Sequence, residues 1–294
     1  MGRSNCVLAF MRRLPALAAV LGLSFSLGGC DNSPNPKGSE TTNTMFIAFQ
    51  ERSPRHLDPT ASYALNEVPY MYAVYEPPYA YHYLKRPYIL VPKAATELAT
   101  PRYFDKDGKP LPDNAPGEAV AESQYDIRIR PGTLYAPHPA FAKDANGNYL
   151  YHALTEAQTR NKHSPLDFAT SGTRELVAHD CVYARKRPPT PRIGAPTFGI
   201  FSEYVIGLKD YGNRMRDEDL KLRQGRDPAA LDKPFPGCRK YPLEGAQALD
   251  KHTLRIRIKG KYPQWKYWMT LTFTAPVPWE ADKFYAQPGM AKNS

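Results

Sequence analysis

The stretch from Gln247 to Ala281 constrains the fold of this chain more than any other. Within it, apolar residues alternate with arginines over positions 254–258, in the sequence LRIRI. A period of two predicts a β-strand with one apolar face and one basic face. The same pattern occurs at 125–130, in the sequence YDIRIR. We interpret the two as strands of one sheet that is wetted on one side, and not as an internal repeat, because their flanking sequences do not match.

Helices are predicted at several places by apolar periodicity and by end signals. The best candidate is 175–187, because three basic residues close its C-terminal end, where the helix dipole favours positive charge. A helix is also expected at 279–285, with two acids in its first turn. A further helix at 65–75 must place Pro69 in its first turn or be kinked there.

Strands and turns complete the predicted outline. The apolar run 44–50 suits a buried strand, and the threonine-rich run 270–274 is expected to be a second β-segment. Turns are predicted where Asp or Asn precedes Gly, at 105–108 and at 146–148. The chain contains 30 prolines, which indicates many turns and few long helices.

The net charge of +10 is compatible with nucleic acid, an anionic membrane or an acidic ligand as partner, but its spread along the whole chain favours a solvated surface. No zinc-finger spacing, RNA-binding motif or dense Lys/Arg block is present, so nucleic acid is not expected as a partner. No HExxH, GxSxG, P-loop or GxGxxG motif occurs, and no pair of carboxyl groups is marked out as acid and base. We therefore expect a protein that is not an enzyme and needs no metal or cofactor. His179 and Asp180 are neighbours on a predicted helix and are expected at the surface.

Residues 1–30 have the features of an export signal. Two arginines precede an apolar segment at 14–27, which is too short for a comfortable membrane span, and the segment ends in LGGC at Cys30. This ending resembles the lipobox of bacterial lipoproteins, which implies lipidation of Cys30 and a periplasmic or cell-envelope location. Asp31 resembles the signal that keeps enterobacterial lipoproteins in the inner membrane, which implies its outer face. Residues 31–43 are predicted to be a flexible tether. The start could be Met1 or Met11.

Two cysteines remain in the part expected to fold, Cys181 and Cys238. Export would carry them to an oxidising compartment, so a disulfide between them is predicted. The alternative is two free thiols, with Cys181 a small residue on the apolar side of its helix.

Several stretches resemble, in order and spacing, the bacterial extracellular solute-binding proteins of the oligopeptide, dipeptide and nickel type, known as family 5. They are Leu57–Pro59 with Tyr75–Tyr79, Leu90–Leu98, Tyr125–Arg130, Glu175–Arg187, Phe198–Leu208, Ala248–Arg255 and Pro276–Met290. At 198–208 the resemblance implies a helix. Three positions depart from the family pattern: Pro78 replaces a leucine, Thr100 a tryptophan and Val177 a capping threonine.

The resemblance implies a mixed α/β (α+β) fold of the periplasmic-binding-protein type, a two-lobed clamp with one additional domain. It assigns 44–85 to lobe one, 86–271 to the additional domain and 272–294 to a return toward lobe one. It implies a ligand cleft bordered by Tyr63, Ala64 and Leu65, a peptide or peptide-like solute as ligand, and ABC permease subunits as partners. It does not indicate which solute is bound.

The family pattern runs on beyond Ser294, so the chain is expected to be an N-terminal piece that lacks the second lobe. Such a piece is expected to bind short peptides weakly or not at all, because closure of both lobes supplies much of the binding energy. The alternative is an envelope lipoprotein with a structural or partner-binding role.

Overall fold

The computed structural model describes Gly38, residues 53–225 and residues 237–290. The chain divides into two units, residues 1–50 and 51–294, and every element named below lies in the second. The predicted signal peptide 1–30 with Cys30, the strand 44–50 and, apart from Gly38, the tether 31–43 fall outside the described residues and stay predictions. The domain boundaries at 85/86 and 271/272 also stay predictions.

The strands of the described residues form two antiparallel sheets. They are β1 Tyr79–Tyr81, β2 Leu90–Pro92, β3 Arg102–Phe104, β4 Pro110–Leu111, β5 Glu122–Arg128, β6 Ala246–Ala248 and β7 Thr253–Lys259. β1 pairs with β2, and the other five form a sheet in the order β4-β3-β5-β7-β6.

The α-helices of the described residues are mostly short, as the proline content indicated. They are α1 Val68–Val74, α2 Glu156–Thr159, α3 Ala178–Lys186, α4 Phe198–Tyr204, α5 Leu208–Arg223, α6 Trp265–Trp268 and α7 Trp279–Tyr285. Single 3₁₀ turns occur at Gly117–Ala119, Pro139–Phe141, Pro165–Asp167 and Thr272–Thr274. Helices and antiparallel sheets together confirm the mixed α/β class.

The two alternating stretches are neighbouring strands of one sheet, as predicted. β5 pairs with β7, so that Ile127 lies opposite Leu254, and both side chains are fully buried. On the other face Arg255 binds Asp126 at 2.7 Å. The apolar face packs against α3 and α4, and α5 packs on α4, which closes the main core.

Helix α3 confirms the prediction at 175–187 but begins three residues later, at Ala178. Val177 has no side-chain cap, and the Asp180 carboxylate instead accepts a hydrogen bond from the Val177 N–H at 3.0 Å. His179 is exposed, as expected. The expectation for Asp180 is wrong, because this residue is only 2% exposed and binds Arg174.

The β-segment predicted at 270–274 is wrong, since Thr272–Thr274 forms a 3₁₀ turn. The Thr270 hydroxyl donates to the Tyr267 carbonyl and the Thr274 hydroxyl to the Leu271 carbonyl, both at 2.7 Å. These local hydrogen bonds favour a turn over pairing in a β-sheet, because threonine hydroxyls can bond to nearby backbone carbonyls.

The other local predictions are confirmed in part. α1 begins at Val68 with Pro69 in its first turn. The predicted helix 198–208 is interrupted. Helix α4 ends at Tyr204, and Val205 forms an isolated β-bridge with Ile258 of β7. Helix α5 then begins after Gly207, whose φ is positive. α7 has the predicted bounds.

Both predicted turns form around an aspartate. Asp105 accepts hydrogen bonds from the N–H groups of Asp107 and Lys109, and Gly108 has a φ of 76°. At the second turn Asp144 accepts hydrogen bonds from the N–H groups of Asn146 and Asn148, and Gly147 has a φ of 84°.

The predicted disulfide is absent, since Cys181 and Cys238 are free buried thiols. Cys181 lies on the core side of α3, and the Cys238 sulfur instead lies 3.4 Å from the Thr190 hydroxyl. Burial raises the pKa of Cys181 to about 12 and that of Cys238 to about 11, so both remain protonated thiols at neutral pH.

Candidate functional site

The loop before α1 holds the residues that the sequence resemblance assigned to a ligand cleft. Its centre is the carboxylate of Glu67, a residue only 1% exposed. The carboxylate accepts five hydrogen bonds, from the N–H groups of Arg55, His56, Tyr63 and Ala64 and from the Ser62 hydroxyl. Burial would raise the pKa of Glu67, but these hydrogen bonds lower it to about 2. The loop is therefore fixed by one ionised side chain.

Replacing Glu67 with glutamine is expected to loosen this loop. The amide has one accepting oxygen, so two or three of the five hydrogen bonds are lost, at about 2 kcal/mol of local stability. Hydrogen exchange of the amides at 55–56 and 63–64 should become about thirtyfold faster. The same loss is expected in the wild-type chain as the pH falls from about 4.5 toward 2, because the folded-state pKa lies below the unfolded value. Unchanged exchange in Glu67→Gln would contradict the role given to this carboxylate.

The loop leaves all three predicted residues at the surface. Tyr63 is 63% exposed and Leu65 is 87% exposed, and Ala64 between them is exposed as well. Tyr63 borders an open groove of about 250 Å³. The groove is lined by Tyr63, Thr197, Ile200, Phe201, Trp268, Leu271 and Phe273. The structure thus brings Tyr63 together with α4 and α6 and leaves Ala64 and Leu65 beside the groove.

The far wall of the groove is a packed aromatic cluster. The Phe201 ring lies 5.1 Å from that of Trp268 and 5.5 Å, edge to face, from that of Phe273. Such edge-to-face packing fixes ring orientation. Ile200, which also lines the groove, is 50% exposed. The groove is therefore an accessible apolar surface with a firmly packed wall, which an apolar side chain of a ligand could contact.

Beneath the loop, Arg187 joins three of the sequence motifs. Its guanidinium binds both oxygens of Asp58, at 2.8 and 2.6 Å, and both oxygens of Asp282, at 2.9 and 2.8 Å. The side chain is only 4% exposed. The Tyr183 hydroxyl also donates to Asp282 at 2.7 Å. Burial would raise the pKa of Asp58, but Arg187 keeps it below its usual value. The motif at 57–59, helix α3 and helix α7 therefore meet at one buried cation.

A second buried ion pair ties α3 to α7. Arg174 binds both oxygens of Asp180, at 2.8 and 2.7 Å, and both oxygens of Glu280, at 2.7 and 2.6 Å. Glu280 is 1% exposed and accepts a further hydrogen bond from the Tyr149 hydroxyl at 2.9 Å. Burial would raise the pKa of Glu280, but Arg174 lowers it below its usual value.

Sequence reasoning missed these two ion-pair clusters. It treated the charges of Arg187, Glu280 and Asp282 as partners of helix dipoles, and it gave Arg174 no role. Every charged residue of the two clusters except Arg174 lies within one of the motif stretches. That position was the only indication in the sequence that these charges have a structural role. Bidentate pairing itself depends on contacts between distant segments, which periodicity does not report.

Two further findings limit the chemistry of the described residues. Within 53–225 and 237–290, no group of three His, Cys, Asp or Glu side chains is placed to hold a metal ion. In the same ranges no helix has both the length and the apolar character needed to cross a membrane.

Comparison with known proteins gives matches at the level of structure only. No protein-family model matches the chain. No curated protein matches it either. The solved structures that match are solute-binding proteins of family 5, the class that the sequence motifs resemble.

Three of these matches show the extent of the likeness. The pheromone receptor PrgZ, solved to show its mode of peptide binding, is 17% identical with a TM-score of 0.43, over 78% of this chain and 30% of its own. OppA of Haemophilus influenzae in complex with the peptide RPPGFSPFR is 16% identical with a TM-score of 0.39, over 76% and 29%. A periplasmic oligopeptide-binding protein of Borrelia burgdorferi is 13% identical with a TM-score of 0.44, over 80% and 31%. The chain thus spans about a third of the length of these proteins, and no residue role is transferred from them.

Proposed function

We propose that this chain is a peptide-binding component of an ABC importer that works in the cell envelope. The observation that carries the proposal is the loop at 62–67, which the buried Glu67 carboxylate fixes and which sets the exposed Tyr63 beside the aromatic groove. The motif resemblance supports the proposal independently, because the motifs at 57–59, 175–187 and 276–290 meet at Arg187.

On this proposal the groove takes an apolar side chain of a short peptide. The aromatic wall supplies contact area, and the phenol of Tyr63 supplies a polar edge that can bond to a peptide amide. No bond is made or broken in this role, so neither a catalytic group nor a cofactor is needed.

Lipidation of Cys30 would keep the protein at the membrane near its permease subunits. Comparing fatty-acid labelling of the wild-type chain and Cys30→Ala in cells tests that part, and equal labelling would contradict it.

The chain alone is proposed to bind weakly. A groove of about 250 Å³ is smaller than the ~300–1,000 Å³ of sites that enclose a ligand, and it is open to solvent. A peptide on this surface would keep most of its own surface in water. We therefore propose that the 294-residue chain lacks the closure that would give tight binding.

Saturation-transfer NMR with a library of di- to pentapeptides tests this function, because it detects weak binding. We expect dissociation constants of about 1 mM for peptides with an apolar residue. Tyr63→Ala should weaken binding about fivefold, since the phenol forms one edge of the groove. Leu166→Ala is the control, as Leu166 is 92% exposed and does not line the groove, and it should change nothing.

Other outcomes would revise the proposal in different ways. No saturation transfer at millimolar peptide would contradict peptide binding and favour an envelope lipoprotein with a structural role. Micromolar affinity would contradict the claim that the chain alone lacks effective closure.

A further inference from the structure

The loop that joins β1 to β2 is an exposed but ordered projection. Of residues 81–89, all but His82 are exposed. The His82 ring accepts hydrogen bonds at Nδ1 from the N–H groups of Leu84 and Lys85, both at 3.2 Å. The Arg86 guanidinium donates to the carbonyls of Tyr83 and Lys85. The loop is thus held in one shape by its own side chains.

The projection carries an unusual amount of apolar surface. The exposed fractions are 44% for Tyr81, 88% for Tyr83, 77% for Leu84, 67% for Tyr88 and 43% for Ile89. The rings form a continuous layer, because Tyr81 packs edge to face on Tyr88 at 5.6 Å and stacks on Tyr267 at 6.4 Å. Exposed apolar layers of this kind mark sites that contact a protein or a membrane.

The two chain segments that form this layer carry charge of a single sign. No Asp or Glu occurs from Pro77 to Thr96 or from Gly260 to Trp279. Lys85 and Lys266 are exposed and form no ion pair with any carboxylate in the described part of the chain. Arg86 lies 4.8 Å from the centre of the Tyr88 ring, and Lys266 lies 5.4 Å from that of Tyr267.

We propose that this basic, tyrosine-rich hairpin binds the surface of a membrane that contains anionic lipid. Tyrosines with an apolar body and a polar hydroxyl prefer the interface between headgroups and acyl chains. Leu84 at the loop tip can enter the acyl boundary while Lys85 beside it stays among the headgroups, as long basic side chains do. Anionic headgroups supply the charge that the protein itself does not place there.

A second hairpin in the same protein shows what an ordinary solvent-exposed turn looks like here. The β3–β4 turn carries Asp105, Lys106 and Asp107, with both signs of charge and no apolar side chain. The composition of the β1–β2 loop is therefore not a general property of turns in this chain.

A projecting loop with an aliphatic tip suits insertion into a soft, flat surface better than docking into a nucleic acid, which would use ring stacking along a groove. The proposal does not depend on lipidation of Cys30 or on peptide binding.

Hydrogen exchange of the full chain on vesicles tests the proposal. Every sample carries Cys30→Ala, so that acylation cannot contribute, and the apolar segment 14–27 is common to all of them. We expect protection of the amides at 82–89 on vesicles that contain 30% phosphatidylglycerol, and little on vesicles of phosphatidylcholine alone. Lys85→Gln with Lys266→Gln should weaken binding to the anionic vesicles about 25-fold, fivefold for each charge.

The control removes comparable groups from other exposed sites. Leu166 is 92% exposed and Lys106 lies in the β3–β4 turn, so Leu166→Ser with Lys106→Gln should leave binding and protection unchanged, whereas Leu84→Ser with Lys85→Gln should reduce both. Circular dichroism verifies that each variant is folded. Absence of protection at 82–89, equal protection on neutral vesicles, or an equal loss in the control would overturn the proposal. So would protection by a single-stranded oligonucleotide without protection by vesicles.

Discussion

Replacing Arg187 with methionine is expected to lower the free energy of unfolding by about 3–5 kcal/mol. The variant would leave Asp58 and Asp282 facing each other across the space that the guanidinium filled, without the four hydrogen bonds that it donates to these two carboxylates. Removing one partner of a buried ion pair is costly because the remaining charge has lost its compensation. Urea unfolding followed by tryptophan fluorescence measures the change.

Two further variants separate this effect from a general sensitivity to losing arginine. Arg102 pairs with Asp126 at 2.7 Å, but its side chain is 55% exposed, so Arg102→Met should cost less than about 1 kcal/mol. Adding Asp282→Asn to Arg187→Met should recover part of the loss, because it removes one unpaired charge. Equal costs for Arg187→Met and Arg102→Met would show that Arg187 does not hold the three motifs together.

The second large effect is expected for Arg174→Met. This change strands two carboxylates, on Asp180 and Glu280, that are 2% and 1% exposed. We expect a loss of about 3–4 kcal/mol at neutral pH, because both carboxylates lose their compensating charge at buried positions. Thermal and urea unfolding measure it.

The pH dependence of the stability of this variant gives an independent test of the ion pairs made by Arg174. In the wild-type chain the pKa of Glu280 lies below its usual value, so the pairing stabilises the fold above about pH 4.5 and is lost as the pH falls through the folded-state pKa. The variant has no such pairing to lose. The difference in stability between wild type and Arg174→Met should therefore shrink as the pH falls below 4.5. A constant difference from pH 7 to 3 would mean that the arginine acts through packing alone.

The sheet and its neighbours could be predicted because their signals are local. The alternation at 254–258 fixed which face of β7 is buried, and the same pattern at 125–130 identified its partner. Pro278 ahead of two acids set the start of α7. The run 270–274 was misassigned because the β-preference of threonine is weaker than two side-chain hydrogen bonds to carbonyls in the preceding turn.

The candidate site was predictable only in part. The motif resemblance pointed to Tyr63, and the structure places it at a groove, but Ala64 and Leu65 lie beside that groove. The opposite wall comes from Phe201 and Trp268, far along the chain, and no periodicity links them to the loop. Asp180 was expected at the surface because helix geometry separates it from His179, while its burial depends on Arg174, which precedes the helix.

The most direct test of the proposed function is to map where peptides touch the protein. Pentapeptides that carry a photoreactive phenylalanine analogue can be crosslinked to the full chain at millimolar concentration and the products located by mass spectrometry. The proposal predicts crosslinks in the loop around Tyr63 and in the segment from Trp268 to Phe273, with a reduced yield in Tyr63→Ala that matches its weaker binding. Crosslinks spread evenly over the surface, including the turn at 105–108, would contradict peptide binding at this groove.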